Sequence, residues 1–314
     1  MMNPNPLSPP GELIDVGGYR LHLHCAGKGE PTVVLESGVG SYSAAWSLVQ
    51  PEVARYTRVC AYDRAGYAWS DRAPASMPRT SDQLARELHV LLHRAGIRPP
   101  LLLVGHAAGA LYARLYASRF PEDVAGMVLV DPVREAEWTE GDRSARLRGL
   151  RVGTRRLRGH YLLSRLGLMQ LLARFKPPEA IRKLPAHVQT VVRRLGSRPR
   201  TLQTTYREYA SLEESAAQVR EQAGSLGDRP LVVIGRPGAA VPLASAEEMT
   251  LPNVQSTAAD AHAELAALST RGRVVVAPGS GGDLLLDEPA LVVEAIREVV
   301  EAVRAAAGPA AKQP

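Results

Sequence analysis

The sequence predicts an α/β fold, a mostly parallel, doubly wound sheet interrupted by one helical insertion. Three observations carry this expectation. Short apolar runs alternate with helical patterns along most of the 314 residues, as parallel strands joined by crossover helices do. One run, Leu101 to Gly105, turns sharply into a helical pattern from Leu111 to Ser118. Between Arg134 and about Arg220 strand alternation stops and arginine becomes dense.

Composition bounds the function classes. Hydrophobic residues at 45% and charged residues at 22% suit a soluble globular protein. The net charge of +6 comes largely from arginine and hints at anionic partners. An Ala- and Arg-rich, Lys-poor chain is compatible with a high-GC bacterial genome. Met1 to Pro10 has no apolar h-region, so no signal peptide is expected. No apolar run approaches the ~18 residues of a membrane span. Two cysteines, Cys25 and Cys60, are too few for a disulfide framework, and a reducing cytoplasm is the default expectation.

The elements follow in order. Glu12 to Arg20 and Leu21 to Cys25 read as an antiparallel pair turned at Gly17-Gly18. His22 and His24 share one face. With no third ligand nearby, that face reads as the solvent side of an edge strand rather than a metal site. Thr32 to Leu35 is a buried strand ending in Glu36-Ser37-Gly38-Val39-Gly40, and Trp46 and Val49 begin a helical segment. Arg58 to Tyr62 is the next strand. Asp63, just after it, reads as structural, bonding loop amides and holding Arg64. Ser81 to Ala95 is a helix that Ser81 can cap, with Leu84, Leu88, Leu91 and Leu92 as its apolar stripe. His89 and His93 lie four apart, but no third ligand or acidic base accompanies them, and a solvated face is the simpler reading. Met127 to Val130 is a buried strand ending at Asp131. The Arg- and Leu-rich stretch beyond reads as a helical cap inserted into the core. Its arginines suit an anionic substrate or membrane headgroups; a solvated basic face is the plainer alternative. Strand pattern returns at Leu231 to Ile234 and at Arg273 to Val276, with helices over His262 to Leu268 and Pro289 to Ala307. The expected organisation is a tail over 1–10, core over 11–132, cap over 133–226, core over 227–306 and a tail over 307–314.

The strand-to-helix turn is Gly105-His106-Ala107-Ala108-Gly109. A nucleophile elbow, Gly-x-Ser-x-Gly, sets its serine at the tip of such a turn. Here that position is Ala107, and a methyl group cannot attack a carbonyl. The chain resembles an α/β-hydrolase of the epoxide-hydrolase and proline-iminopeptidase-like group. The resemblance rests on Leu35-Glu36-Ser37-Gly38, on Ala61 to Ser70, on Val104 to Gly109, on Leu129-Val130-Asp131-Pro132 and on Leu286-Asp287-Glu288-Pro289. It implies oxyanion donors at the N–H groups of Val39 and Ala108, with Gly38 and Glu36 beside them and His106 pointing into the core behind the elbow. It also implies that Gly282 stands where the catalytic histidine would be. Asp131 is the surviving candidate for the acid, since the later acid position, in Gly235 to Ala239, has no carboxylate. Its alternative is a loop cap. Cys25 and Cys60 would then be buried thiols on neighbouring strands.

Without serine there is no acyl-enzyme, and without histidine no imidazole to activate water. Glu36, Tyr42, Asp131 and His262 remain as pocket candidates. A laboratory Ser-to-Ala change would explain Ala107 but not Gly282. A degenerate hydrolase that binds a small apolar or amphipathic ligand explains both. So does a repurposed lyase, isomerase or cyclase using the same pocket. The expected partner is a small molecule, with a protein partner open and nucleic acid not indicated; no cofactor and no metal are implied.

Overall fold

The computed structural model describes residues 7–175, 179–237 and 258–308. Its centre is an eight-stranded sheet in the order β1-β2-β4-β3-β5-β6-β7-β8. The strands are β1 (Glu12–Asp15), β2 (Arg20–Ala26), β3 (Thr32–Glu36), β4 (Val59–Asp63), β5 (Leu101–His106), β6 (Val124–Val130), β7 (Leu231–Gly235) and β8 (Gly272–Val276). The β1–β2 and β2–β4 pairs are antiparallel and all other pairs are parallel. Parallel strands need helical crossovers, and these cover both faces.

The helices before the insertion are α1 (Gln50–Val53), α2 (Ser81–Arg94) and α3 (Gly109–Arg119). Between β6 and β7 come α4 (Ala136–Thr139), α5 (Arg143–Arg165), α6 (Leu168–Phe175), α7 (Ala186–Gly196), α8 (Pro199–Ala210) and α9 (Leu212–Gln222). After β7 follow α10 (Ala258–Ala266), α11 (Leu284–Asp287) and α12 (Pro289–Ala306). No strand interrupts the insertion among the described residues.

Alternation along the central strands sorts two cores. Leu101 and Leu103 of β5, with Met127 and Leu129 of β6, face Leu88, Leu91 and Ala113 of α2 and α3. Leu102, Val104, Val128 and Val130 face the other way, onto Ile296, Val299 and Val300 of α12. The side-chain period of two thus gives one run of apolar residues two separate partners.

Several local expectations are corrected. Strand β2 lies between β1 and β4 rather than at an edge, so His22 is fully buried. Its Nδ1 is 2.8 Å from Asp63 Oδ2, its ring leans on Trp69, and Nε2 bonds the Pro10 carbonyl. Burial opposes charging of this imidazole, yet the Asp63 carboxylate raises its pKa above 6.5. Asp63 accepts from the amides of Ser43 (2.9 Å) and Trp69 (3.3 Å), as expected, but holds His22 and not Arg64. Leu7 and Pro10, in the segment expected to be a free tail, are tied down, Leu7 by a 2.8 Å bond from the Trp69 indole. Ser81 does not cap α2: Thr80 is the N-cap, and the Ser81 N–H donates to Ser215 Oγ of α9 at 3.0 Å. Cys25 and Cys60 are not free thiols. The β2–β4 register sets them directly opposite each other and they form a disulfide. Among the described residues no helix is long and apolar enough to cross a membrane.

Candidate functional site

The C-terminal ends of β3, β5, β6 and β7 converge on one edge of the sheet, where α/β folds place their sites. The elbow sits at the end of β5. A methyl on Gly105 would come within 2.8 Å of the Ala110 Cα, and one on Gly109 within 2.5 Å of the Glu36 carbonyl oxygen. Only glycine lets the strand, the helix and the neighbouring loop approach so closely.

Ala107 at the tip has φ +50°. For a residue with a Cβ this left-handed conformation costs roughly 1–2 kcal/mol. The surroundings impose it: the Ala107 N–H donates to the Val130 carbonyl at 3.0 Å, and its carbonyl accepts from the amides of Ala110 and Val133, each at 3.1 Å. Asp131, at the end of β6, is left-handed as well, with φ +46°. The loop after β3 closes over the elbow, so a methyl on Gly38 would stand 3.1 Å from the Ala107 Cβ. The N–H groups of Val39 and Ala108 donate to no partner among the described residues. Both donors lie beside the strained tip. His106 is buried behind it, edge-on to Trp46 at 6.2 Å, and Trp46 donates to Ser37 Oγ at 2.9 Å.

The loop is held by Arg64. Its Nη1 donates to Glu36 Oε1 and to the Ser37 carbonyl, both at 2.6 Å, and Nη2 donates to the Gly38 carbonyl at 2.8 Å. Its other edge grips Glu208 of α8 through Nε and Nη2, at 3.0 and 2.9 Å. Tyr67 donates to the same Glu208 carboxylate at 3.0 Å, and Tyr62 donates to Glu36. All of these groups are buried. Burial opposes the Arg64 charge, but Glu208 and Glu36 more than reverse that and hold it protonated. Burial pushes the Glu36 carboxyl up, and Arg64 opposes this only in part. Glu36 is thus engaged in the scaffold, and Tyr42 is buried with its hydroxyl on the Val192 carbonyl at 3.3 Å.

Asp131 meets a cation. Arg236, just after β7, reaches Asp131 Oδ2 through Nε at 3.0 Å and Nη2 at 2.8 Å. Further along the same turn, burial lifts the Glu137 carboxyl to about 7, with Arg134 opposing and Asp131 adding to the rise. His262 packs on Gly235, where a methyl would strike its ring. Burial lowers its pKa, Arg134 and Arg236 lower it further, and Asp131 opposes them.

Gly282 lies in an exposed loop. The amides of Gly281, Gly282 and Asp283 all donate to Asp287 Oδ2, at 2.8, 3.1 and 3.3 Å. A Cβ at position 282 would meet nothing within 4 Å, and its φ lies outside the left-handed region. Of the later acid stretch, Gly235 to Pro237 are described, and Gly238 and Ala239 lie outside the described residues. The other histidine pair lies on the surface as expected, His93 exposed and His89 partly covered. His89 stacks on Phe120 at 3.8 Å and meets Asp123 at 3.2 Å, and with His93 it lines a surface cavity of about 190 Å3. Among the described residues no group of three or more His, Cys, Asp or Glu side chains could hold a metal ion.

Residues 31–288 match the family model described as the alpha/beta hydrolase fold. The chain belongs to the α/β-hydrolase fold family. Solved structures of the same fold include a variant of a putative epoxide hydrolase from Pseudomonas aeruginosa, with TM-score 0.70 and 20% identity, covering 94% of this chain and 96% of that one. The epoxide hydrolase CorEH gives TM-score 0.69 at 18% identity, covering 93% of this chain and 99% of that one. Among curated relatives, the 2-hydroxy-6-oxo-2,4-heptadienoate hydrolase of Pseudomonas putida is 32% identical over 139 residues, 42% of this chain and 48% of that protein. An AB hydrolase superfamily protein of Gibberella zeae is 33% identical over 109 residues, 34% of each chain. The first curated relatives are matched over only 18%, 46% and 34% of their own length.

Sequence reasoning missed Arg236, Glu208 and Glu137. The signal for Arg236 was present: it follows the strand next to the one that ends in Asp131, so opposite charges close two adjacent parallel strands.

Proposed function

We propose that this α/β-hydrolase fold serves as a binding scaffold for a small apolar or amphipathic molecule and forms no serine acyl-enzyme. One observation carries the reading. At the strained elbow tip stands a methyl group, while the oxyanion-type N–H groups of Val39 and Ala108 keep no protein partner. Binding needs those donors and a shaped site; acyl transfer also needs a nucleophile and a base. The resemblance puts Gly282 where that base would stand, and Asp131 faces a guanidinium instead of an imidazole. Helices of the insertion, residues 133–226, act in this reading as the lid over the ligand. The disulfide favours an oxidising compartment over the cytoplasm that composition suggested.

A second reading has a specific observation behind it. Burial lifts the Glu137 carboxyl to about 7 and lowers the His262 imidazole below its usual range, and both feel the charge of Asp131. A near-neutral acid and an imidazole are the group types that proton transfer in a lyase, isomerase or cyclase uses. Fluorophosphonate labelling, p-nitrophenyl ester turnover and mass spectrometry of co-purifying small molecules test both. The expected result is no labelling, no turnover and a retained organic ligand. Stoichiometric labelling of a serine together with esterase turnover would overturn the proposal. Conversion of the retained molecule that is lost in Glu137→Gln would replace binding with the second reading.

A further inference from the structure

Helix α5 carries a basic half and an apolar half on one exposed face. Arg151, Arg155, Arg158, Leu162 and Leu166 follow at spacings of four, three, four and four residues, and all are exposed. At 3.6 residues per turn they share an arc of roughly 80° along ~22 Å of helix. After the turn at Gly167 (φ +77°), α6 extends the apolar end with Leu168, Leu171 and Leu172. Leu166 is 74% exposed and Leu172 56%. A single exposed leucine is ordinary, but a contiguous group of this size marks a surface that meets something apolar. Helix α5 packs along α8, with Gly153 against the Tyr209 ring, while Leu162, Leu166, Leu171 and Leu172 stay exposed.

Charge identifies the partner. Residues 143–178 contain ten Lys and Arg and no Asp or Glu, whereas the whole chain carries only +6. The rest of the molecule is therefore net negative. Arg151, Arg155, Arg158 and Arg165 make no ion pair among the described residues. A second copy docking through this face would offer the arginines no carboxylate, since residues 143–178 contain none. A nucleic acid would neutralise the arginines and leave the leucines in water. An anionic bilayer satisfies both, because guanidinium groups bind headgroup phosphates while apolar side chains enter the interface.

We propose that the α5–α6 tip docks on an anionic lipid bilayer, with the leucines of residues 162–172 inserted and the α5 arginines at the level of the headgroups. The insertion depth expected of such a helix is about 5–10 Å, which the leucine end can supply without moving the sheet.

The test is co-sedimentation of the full chain with sucrose-loaded vesicles of phosphatidylcholine alone or mixed with phosphatidylglycerol. Binding is expected only to the mixed vesicles and should weaken as salt rises. Each arginine near an anionic surface contributes about fivefold in affinity, so Arg155→Ala/Arg158→Ala should bind roughly 25-fold more weakly. Leu166→Ser/Leu171→Ser should lose at least about tenfold. Both variants change exposed side chains, and circular dichroism with size-exclusion light scattering confirms that they stay folded. No sedimentation of the starting protein, equal binding to neutral vesicles, or unchanged binding by the leucine variant would overturn the proposal. A stable dimer that the leucine variant dissociates, with no vesicle binding, would assign the face to a second copy instead.

Discussion

Glu208→Ala removes the carboxylate through which α8 grips Arg64 and, through it, the loop over the elbow. The carboxylate accepts two bonds from Arg64, at 3.0 and 2.9 Å, and one from Tyr67 at 3.0 Å, with Arg79 at 3.7 Å. Taking one partner from a buried ion pair costs about 3–5 kcal/mol, because the remaining charge is left without its counter-ion. The orphaned Tyr67 hydroxyl adds about 1 kcal/mol. The loss is not larger, since Arg64 keeps Glu36 and two backbone carbonyls. The expected destabilisation is therefore about 4–6 kcal/mol. At ~2.1 cal/mol/K per residue over 314 residues, unfolding entropy is roughly 0.66 kcal/mol/K, so Tm should fall by about 6–9 °C. Urea unfolding followed by circular dichroism, with thermal scans, measures both values. In an Arg64→Met background the same Glu208→Ala change should cost far less, because the carboxylate has then already lost its main cation and keeps only Arg79 at 3.7 Å and the Tyr67 hydroxyl. A loss below about 1 kcal/mol in the starting protein, or strictly additive costs in the double variant, would refute this account of the network.

Three further outcomes are expected. Ala107→Ser and Gly282→His should each be inert, while the double variant should gain ester hydrolysis on the order of 10²-fold over either, since both contacts of Arg236 fall on Asp131 Oδ2 and position 282 has room for a side chain; a folded double variant with no gain would show that the pocket has diverged. Glu137 is raised from 4.5 to about 7, so the native state holds its proton where the unfolded chain releases it, and this contribution, present below pH 4.5, is lost as pH rises towards 7. Glu137→Gln should flatten that decline, worth up to roughly 3 kcal/mol, and an unchanged stability–pH profile would refute the assignment. Reducing the Cys25–Cys60 bond, which spans 35 residues, should cost about 4 kcal/mol by the loop-entropy relation; iodoacetamide should label neither cysteine before reduction, and labelling of both would show that the bond does not form.

The strands and the elbow were legible because their signals are local. Short apolar runs marked β3 to β8, and Gly105 and Gly109 marked the sharp turn that close backbone contact requires. Polar partnerships across the sheet were not legible. Glu208 meets Arg64 across 144 residues, and nothing near either one announces the other. Cys25 and Cys60 were expected on neighbouring strands, but the β2–β4 register that sets them directly opposite is written near neither residue. His22 was read on an edge strand for the same reason: β1 and β4 flank β2, and Trp69 and Pro10 cover the imidazole. At the candidate site, sequence placed Ala107, Val39, Ala108 and Asp131 in one neighbourhood but did not show that Arg236 occupies the acid.

The anchoring of the insertion through Glu208 leaves its burial uneven. Helices α8 and α9 carry Glu208, Tyr209, Leu212 and Val219 into the core, whereas α5 and α6 are exposed over much of their length. Amide exchange should register α8 and α9 with the global unfolding reaction and α6, which does not share the packing of α5 on α8, with local openings of much lower free energy. Traffic to the elbow would then pass on the α5–α6 side, leaving the Arg64-held wall still. A protein built this way can admit a guest from the surface on which it rests while its binding corner keeps its shape.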